Sequence, residues 1–288
     1  MELYAILLAT STAASWAFVT QLQKRGLRRT DARSGALIVV ASFAGLFWLL
    51  APFMIEWQWF GTRAALVFAL SGLVVPGLAQ QFHMMSVDRL GPTMTSVAGA
   101  FAPAFAIAPA LLFLGESLNV QGLIGIALMV GGIVLAVQAN AAGRQNAPLM
   151  LIWIAIVAAA CRGLGQPIAK LGLADLPEPF FATLVMVSSA TALIAATHLV
   201  RDRQTVRIAA GPHLLWFVAA GAVLGLGFLT LSLALNLGDV VVVAPFTATV
   251  PIWILLFNHF VFQSEPINVW HIAAALVATG GAIVLITR

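Results

Sequence analysis

Gly131-Gly132-Ile133-Val134-Leu135 lies near the end of one apolar run, and Gly280-Gly281-Ala282-Ile283-Val284-Leu285 lies near the end of another, 149 residues later. Outward from this pair, other landmarks recur in the same order. Glu116 and Glu265 share the offset of 149, Pro103 and Pro251 are 148 apart, Leu90-Gly91 and Leu237-Gly238 are 147 apart, and Lys24 and Lys170 are 146 apart. One matching dipeptide would mean little. An ordered series with a slowly drifting offset is what small insertions leave between two copies of one unit. The reading divides the chain into a first repeat, 1–145, and a second, 146–288.

Each repeat is too apolar for water. The chain of 288 residues is 61% hydrophobic and 8% charged, with a mean hydropathy of +1.02. Soluble domains carry about 25% charged residues, and no soluble core of this size hides so much apolar surface. Lipid is the expected solvent, which places the chain in a bilayer and excludes soluble globular, disordered and collagenous classes. A spanning helix needs about 20 mainly apolar residues. Runs of that kind fall at 3–23, 34–55, 64–86, 92–114, 120–138, 149–171, 180–199, 213–236, 240–262 and 267–287. The first is expected to be a retained span and not a secretory leader, because its positive charges follow the run instead of preceding it. The cuts at Asp88-Arg89-Leu90-Gly91-Pro92 and Asn236-Leu237-Gly238-Asp239 have the Gly and polar residues of tight hairpins.

The expected fold class is therefore all-α integral membrane, with ten transmembrane helices as two five-helix repeats. An odd number of spans per copy makes the second enter the membrane the opposite way up. Inverted-topology repeats suit alternating access, since the two copies can exchange roles. Secondary transport of a small-molecule substrate is the expectation; a solute channel and a membrane-embedded lipid-acting protein are the alternatives. No phosphate loop, zinc spacing or triad spacing suggests an enzyme, a cofactor or a metal site. The five histidines, at 83, 198, 213, 259 and 271, form no cluster of metal-ligand spacing. A net charge of +4 spread over short loops gives no nucleic-acid footprint. Cys161 is a lone thiol within an apolar run and reads as a small buried hydrophobe.

Three motifs carry a family resemblance: Phe113-Leu114-Gly115-Glu116-Ser117-Leu118, the Gly-Gly run at 131–135, and Ala14-Ser15-Trp16-Ala17 in the first span. With them the chain resembles the EamA-type branch of the drug/metabolite transporter superfamily, over nearly its whole length and in two tandem copies. The second copy is weaker, with Gln263-Ser264 before Glu265 and Arg162-Gly163 where the first has its tryptophan element. The resemblance implies a 5+5 secondary transporter, often an exporter of amino acids or other metabolites, and names no substrate.

Arg162 is the one ionisable residue deep within an expected span. It is the fourteenth residue of the sixth, as Trp16 is of the first. A cation there costs about 2.5–3.5 kcal/mol on insertion scales, so it should face the interior and meet an anion, a carbonyl or water. A guanidinium can grip a carboxylate bidentately. Gln80, Gln81 and His83 follow Pro76-Gly77, and Gln80 and His83 share a helical face. His83 is also the candidate for a coupling proton. Gln166 lies one turn beyond Arg162, and Trp16, Phe101 and Trp253, with Phe82, Phe105 and Phe246, are candidate aromatic lining. Pro103, Pro109, Pro245 and Pro251 should interrupt the fourth and ninth spans, and paired interruptions in two halves point to a gate and a cavity. Glu116 and Glu265 read as caps of a turn or helix start.

Loops on the side of the cluster Lys24, Arg25, Arg28, Arg29 and Arg33 carry ten Lys/Arg against three on the other. The charge rule thus puts both termini outside; the resemblance implies the reverse. Compact loops and an Ala-, Gly- and Val-rich composition suggest a bacterial inner membrane. Gly221-Ala-Val-Leu-Gly225 has a small-xxx-small spacing that is weak support for dimerisation, and oligomeric state is otherwise open.

Overall fold

A computed structural model describes residues 2–99, 101–141, 152–201 and 211–261, with isolated positions beyond. The described residues form helices and short connections. The first two helices are α1 (Glu2–Gly26) and α2 (Ala32–Met54); α3 (Arg63–Gly72) and α4 (Ala79–Gly99) follow. Then come α5 (Ala102–Phe113), α6 (Val120–Ala141), α7 (Ile152–Asp175), α8 (Pro179–Arg201) and α9 (Leu214–Leu237). The last described are α10 (Val240–Thr247) and α11 (Val250–Phe260).

Among the described residues seven stretches are long and apolar enough to cross a bilayer: Glu2–Gly26, Ala32–Met54, Arg63–Pro92, Ile152–Asp175, Pro179–Leu199, Leu214–Leu237 and Val240–Phe260. Ala102–Phe113 and Val120–Gly132 are shorter apolar helices. Most of the tenth expected span, 267–287, and all of Glu265 lie outside the described residues. Leu49, Phe53 and Leu112 point outward, as side chains solvated by lipid do. The protein is an all-α, multi-pass membrane protein.

Breaks in the helices occur where backbone chemistry calls for them. Pro103 and Pro251 stand at the starts of α5 and α11, just after the interruptions of the fourth and ninth expected spans. Pro109 and Pro245 lie inside α5 and α10. At the cut before Pro92, Gly91 takes a φ of 79°, a left-handed value that suits glycine. A further break falls at Val75 (φ −139°, ψ 117°), ahead of Pro76, inside what the sequence reads as one continuous span.

Between α1 and α2 the Asp31 carboxylate accepts from the Arg33 and Ser34 amides, both at 3.0 Å, and so caps α2. Burial raises its pKa, but the bonds from Ser34 and Arg33 outweigh that and leave it below the ordinary carboxylate value. A depressed folded pKa means the cap contributes above the unfolded value and fades as pH falls through the folded one. Asp31→Ala is expected to cost about 1 kcal/mol, and the deficit should shrink on acidification below about pH 4. Melting of both proteins across pH 3–7 measures it.

Packing crosses between the halves. α1 lies mainly on α9, α2 on α8 and α9, and α7 on α3, α4 and α5. Glycine permits the closest approaches: a Cβ on Gly221 would sit 2.5 Å from the Val39 carbonyl, and one on Gly225 would sit 2.8 Å from the Phe43 ring. Both glycines of the small-xxx-small pair are thus used within the molecule, against α2. In a bilayer such van der Waals fit drives helix association.

Charged side chains then lace the α9–α10 hairpin. Glu116 Oε1 and Oε2 accept from the Val240 and Val241 amides, each at 2.9 Å, at a helix start whose N-cap residue Asp239 makes no side-chain cap. Lys170 Nζ donates to the Leu235 and Gly238 carbonyls, each at 2.7 Å. Glu116 is a cap, as expected, but of a helix in the other half. Trp57 is exposed and stacks with Trp48 and Phe60, whereas Trp59 packs on Phe181.

Candidate functional site

The deepest polar cluster forms where α1, α4 and α7 converge on the break between α10 and α11. Along α1, Trp16, Thr20 and Gln23 repeat at helical spacing and line one face. Gln80 and His83 from α4 and Arg162 from α7 complete that wall. Close approach of α7 to α5 is possible because Gly163, beside Arg162, has no Cβ to meet the Phe105 side chain.

The hydrogen bonds fix the state of His83. Arg162 Nη2 can only donate, and it lies 3.2 Å from His83 Nδ1. That nitrogen therefore accepts, and the ring proton belongs on Nε2. His83 Nε2 lies 3.5 Å from Thr20 Oγ1, whose own proton goes to the Trp16 carbonyl at 2.8 Å. A single direction of donation thus runs from Arg162 through His83 and Thr20 to the α1 backbone. Arg162 also stacks its guanidinium carbon 5.0 Å from the centroid of the Trp16 ring. Trp16 in turn packs against Phe228, with centroids 5.5 Å apart. Among the described residues no carboxylate pairs with Arg162.

Around this cation several buried polar atoms lack a partner: Trp16 Nε1, both amide atoms of Gln23, and Gln80 Nε2. Each such atom costs about 1–3 kcal/mol when left unbonded. Two small cavities of about 30 and 20 Å³ touch the cluster, and Thr20, His83, Arg162 and Val250 line both. Each has room for about one water and not for an organic solute. Gln166 is 2% exposed and donates to Thr247 Oγ1 at 3.2 Å; its Oε1 is unpartnered.

The structure brings together Trp16, Gln80, His83 and Arg162, with Gln166 beside them. Phe101 is 46% exposed and lines neither cavity. Trp253 also lines neither; it packs by Phe257, while Val250 and Ile254 take the positions facing the cavities. Gln81 turns away from Gln80 and accepts from Thr197 on α8 at 3.3 Å. Phe82 faces Trp153, 6.5 Å between centroids. Thr20, Gln23 and Thr247 were not picked out from sequence, although the 16-20-23 spacing on α1 was available to suggest the first two. A larger cavity, about 760 Å³, opens near Arg25, Arg28, Arg29, His213 and Trp216 and includes none of the expected site residues.

The sequence profile of the EamA-like transporter family matches residues 3–138 and again 149–287. The chain belongs to the EamA-like transporter family. A solved structure described only as "Crystal structure of protein" has a TM-score of 0.76 and 18% identity with this EamA-like chain, covering 97% of it and 94% of that chain. At that identity the likeness shows the fold. No curated protein matches.

Proposed function

We propose that this EamA-like protein is a ten-helix, 5+5 inverted-repeat secondary carrier. On this reading it exports a small amphipathic metabolite with a carboxylate, such as an amino acid, across a bacterial inner membrane by alternating access. The packing supports the inverted repeat: the first helix of each half lies on the third of the other, α1 on α9 and α7 on α3 and α4. Exchange of such pairs is how the two halves would trade places between inward-open and outward-open forms.

The observation that carries the substrate reading is the stacked guanidinium of Arg162, paired with no carboxylate among the described residues and set among unpartnered polar atoms. A solute carboxylate would bind Arg162; the Gln80 and Gln23 amides and the Trp16 N–H would bond its remaining polar groups; Trp16 and Phe228 would cover its apolar part. The cavities, too small for such a solute, fit a closed stage of the cycle. Counterflow in proteoliposomes, with amino acids and related carboxylates as candidates, tests the reading. Trans-stimulated uptake supports a carrier, and its absence from folded protein with every anionic or zwitterionic solute would sink it.

His83 supplies the coupling proton in this scheme. Protonation at Nδ1 removes the acceptor for Arg162 and puts two cations side by side. A carboxylate relieves that repulsion, so proton and carboxylate should bind together and leave together, with export following the solute's own gradient. Wild-type counterflow of a carboxylate is therefore expected to strengthen as pH falls, and His83→Gln, which cannot titrate, should give a flat profile. Half-saturation measured between pH 5.5 and 8 decides this.

A further inference from the structure

On the opposite face of α4 from the Arg162 cluster, a groove of about 630 Å³ runs between α4, α7 and α8, with Leu78, Phe82, Met85 and Trp153 along it and Arg33, Gln81 and Thr197 at one end. A smaller recess of about 30 Å³ shares Arg33, Gln81 and Thr197 with it and adds His198. His198 is 6% exposed, and its Nδ1 has no partner. The Arg33 guanidinium pairs with no carboxylate among the described residues. Gln81 spends its carbonyl oxygen on Thr197, which leaves the amide nitrogen as a donor toward the same end.

We propose that this groove is a phospholipid-binding site, with an anionic phosphodiester held by Arg33, Gln81 and His198 and an acyl chain laid inward from Trp153 along Phe82 and Leu78. The placement of the two chemistries decides the occupant. The polar end lies where α2 begins and α8 nears its end, beside the basic loop after α1, at headgroup level. Trp153, the second residue of α7 and 51% exposed, stands at that same level, and Phe82 beside it with Leu78 one turn earlier carries the apolar wall inward from there. A volume of several hundred Å³ is the size at which pockets bury an organic ligand. Guanidinium and imidazole donors suit a phosphate oxygen through charge-assisted bonds, and a soluble anion would have no use for the apolar length. None of these residues lines the Arg162 cavities, so the site stands apart from the proposed solute path.

Native mass spectrometry of the full chain in neutral detergent tests it, with phosphatidylglycerol, diacylglycerol and glycerol phosphate as separate probes. The expected result is one phosphatidylglycerol retained per chain, with diacylglycerol and glycerol phosphate each held at least about tenfold more weakly. Arg33→Gln, His198→Phe and Ala196→Trp, the last filling the groove, should each lower phosphatidylglycerol retention about tenfold. Arg33 and Ala196 are exposed, so those two variants carry the test should His198→Phe not fold. Equal retention by wild type and by both exposed-site variants would overturn the proposal. So would diacylglycerol binding as well as the phospholipid, since the polar end would then contribute nothing. Glycerol phosphate matching the phospholipid would replace the lipid with a soluble phosphate ester.

Discussion

Replacing Arg162 with methionine is expected to lower counterflow of a carboxylate-bearing solute by at least about a hundredfold, with no loss of thermal stability. Removing one member of a buried ion pair costs about 3–5 kcal/mol, and every 1.4 kcal/mol is tenfold in affinity. A hundredfold is thus the low end. Stability behaves differently because, among the described residues, Arg162 has no carboxylate to lose. It would forfeit the bond to His83 and the stacking on Trp16, worth about 1–2 kcal/mol together. The insertion cost of a cation at that depth, about 2.5–3.5 kcal/mol, would vanish at the same time. A merely structural arginine would show the opposite pattern, with a lower melting temperature and transport that fails only in step with folding. Arg162→Lys keeps the charge but loses the planar fork and the stack, and should fall between the two. Counterflow and detergent melting, measured on the same preparations, separate these cases.

Glu116→Ala should be the most destabilising of the charge substitutions, by about 3 kcal/mol. Its carboxylate satisfies two amides at the start of α10 at once, and a hydrogen bond to a charged group contributes about 1.5–3 kcal/mol. The helix dipole adds to the preference for a negative charge there. Glu116→Gln keeps one acceptor oxygen and should lose roughly half as much. Transport by Glu116→Gln should survive wherever the protein folds, because a cap does not have to gain or lose a proton. Folded Glu116→Gln with no activity would instead make this carboxylate a coupling group.

Much of this architecture could be read from the chain, and the reason is physical. Spans show in hydropathy because the bilayer punishes every interruption, and the breaks near Pro103 and Pro251 show because proline lacks an N–H. The meeting of Trp16 and Arg162 could be anticipated from their equal depth in the first helices of the two repeats. Which face a residue takes could not. Helices such as α5 and α9 are apolar all round, so their sequences carry no stripe that separates interior from lipid. Neither hydropathy nor spacing tells Phe101 from Ala102, or Trp253 from Val250 and Ile254, which line the cavities in this structure. Helical geometry accounts for Gln81: one step along α4 swings a side chain from the Arg162 cluster to the groove on α8. Val75 gave no warning of its break beyond the Pro76-Gly77 that follows it.

A guanidinium with no carboxylate beside it among the described residues has an electrical meaning. If the proposed carrier reading holds, the empty carrier has one positive charge at this site among the described residues, and a bare carboxylate solute brings the total to zero. A zwitterion, or a carboxylate with its proton on His83, leaves the total at plus one. Membrane voltage does about 2.3 kcal/mol of work per 100 mV on a charge that crosses the whole field. With a bare anion, then, voltage acts on the return of the empty carrier and spares the loaded one; with a zwitterion it acts on both alike. The voltage dependence of each half-cycle would count the charge that travels with the solute before the solute itself is known.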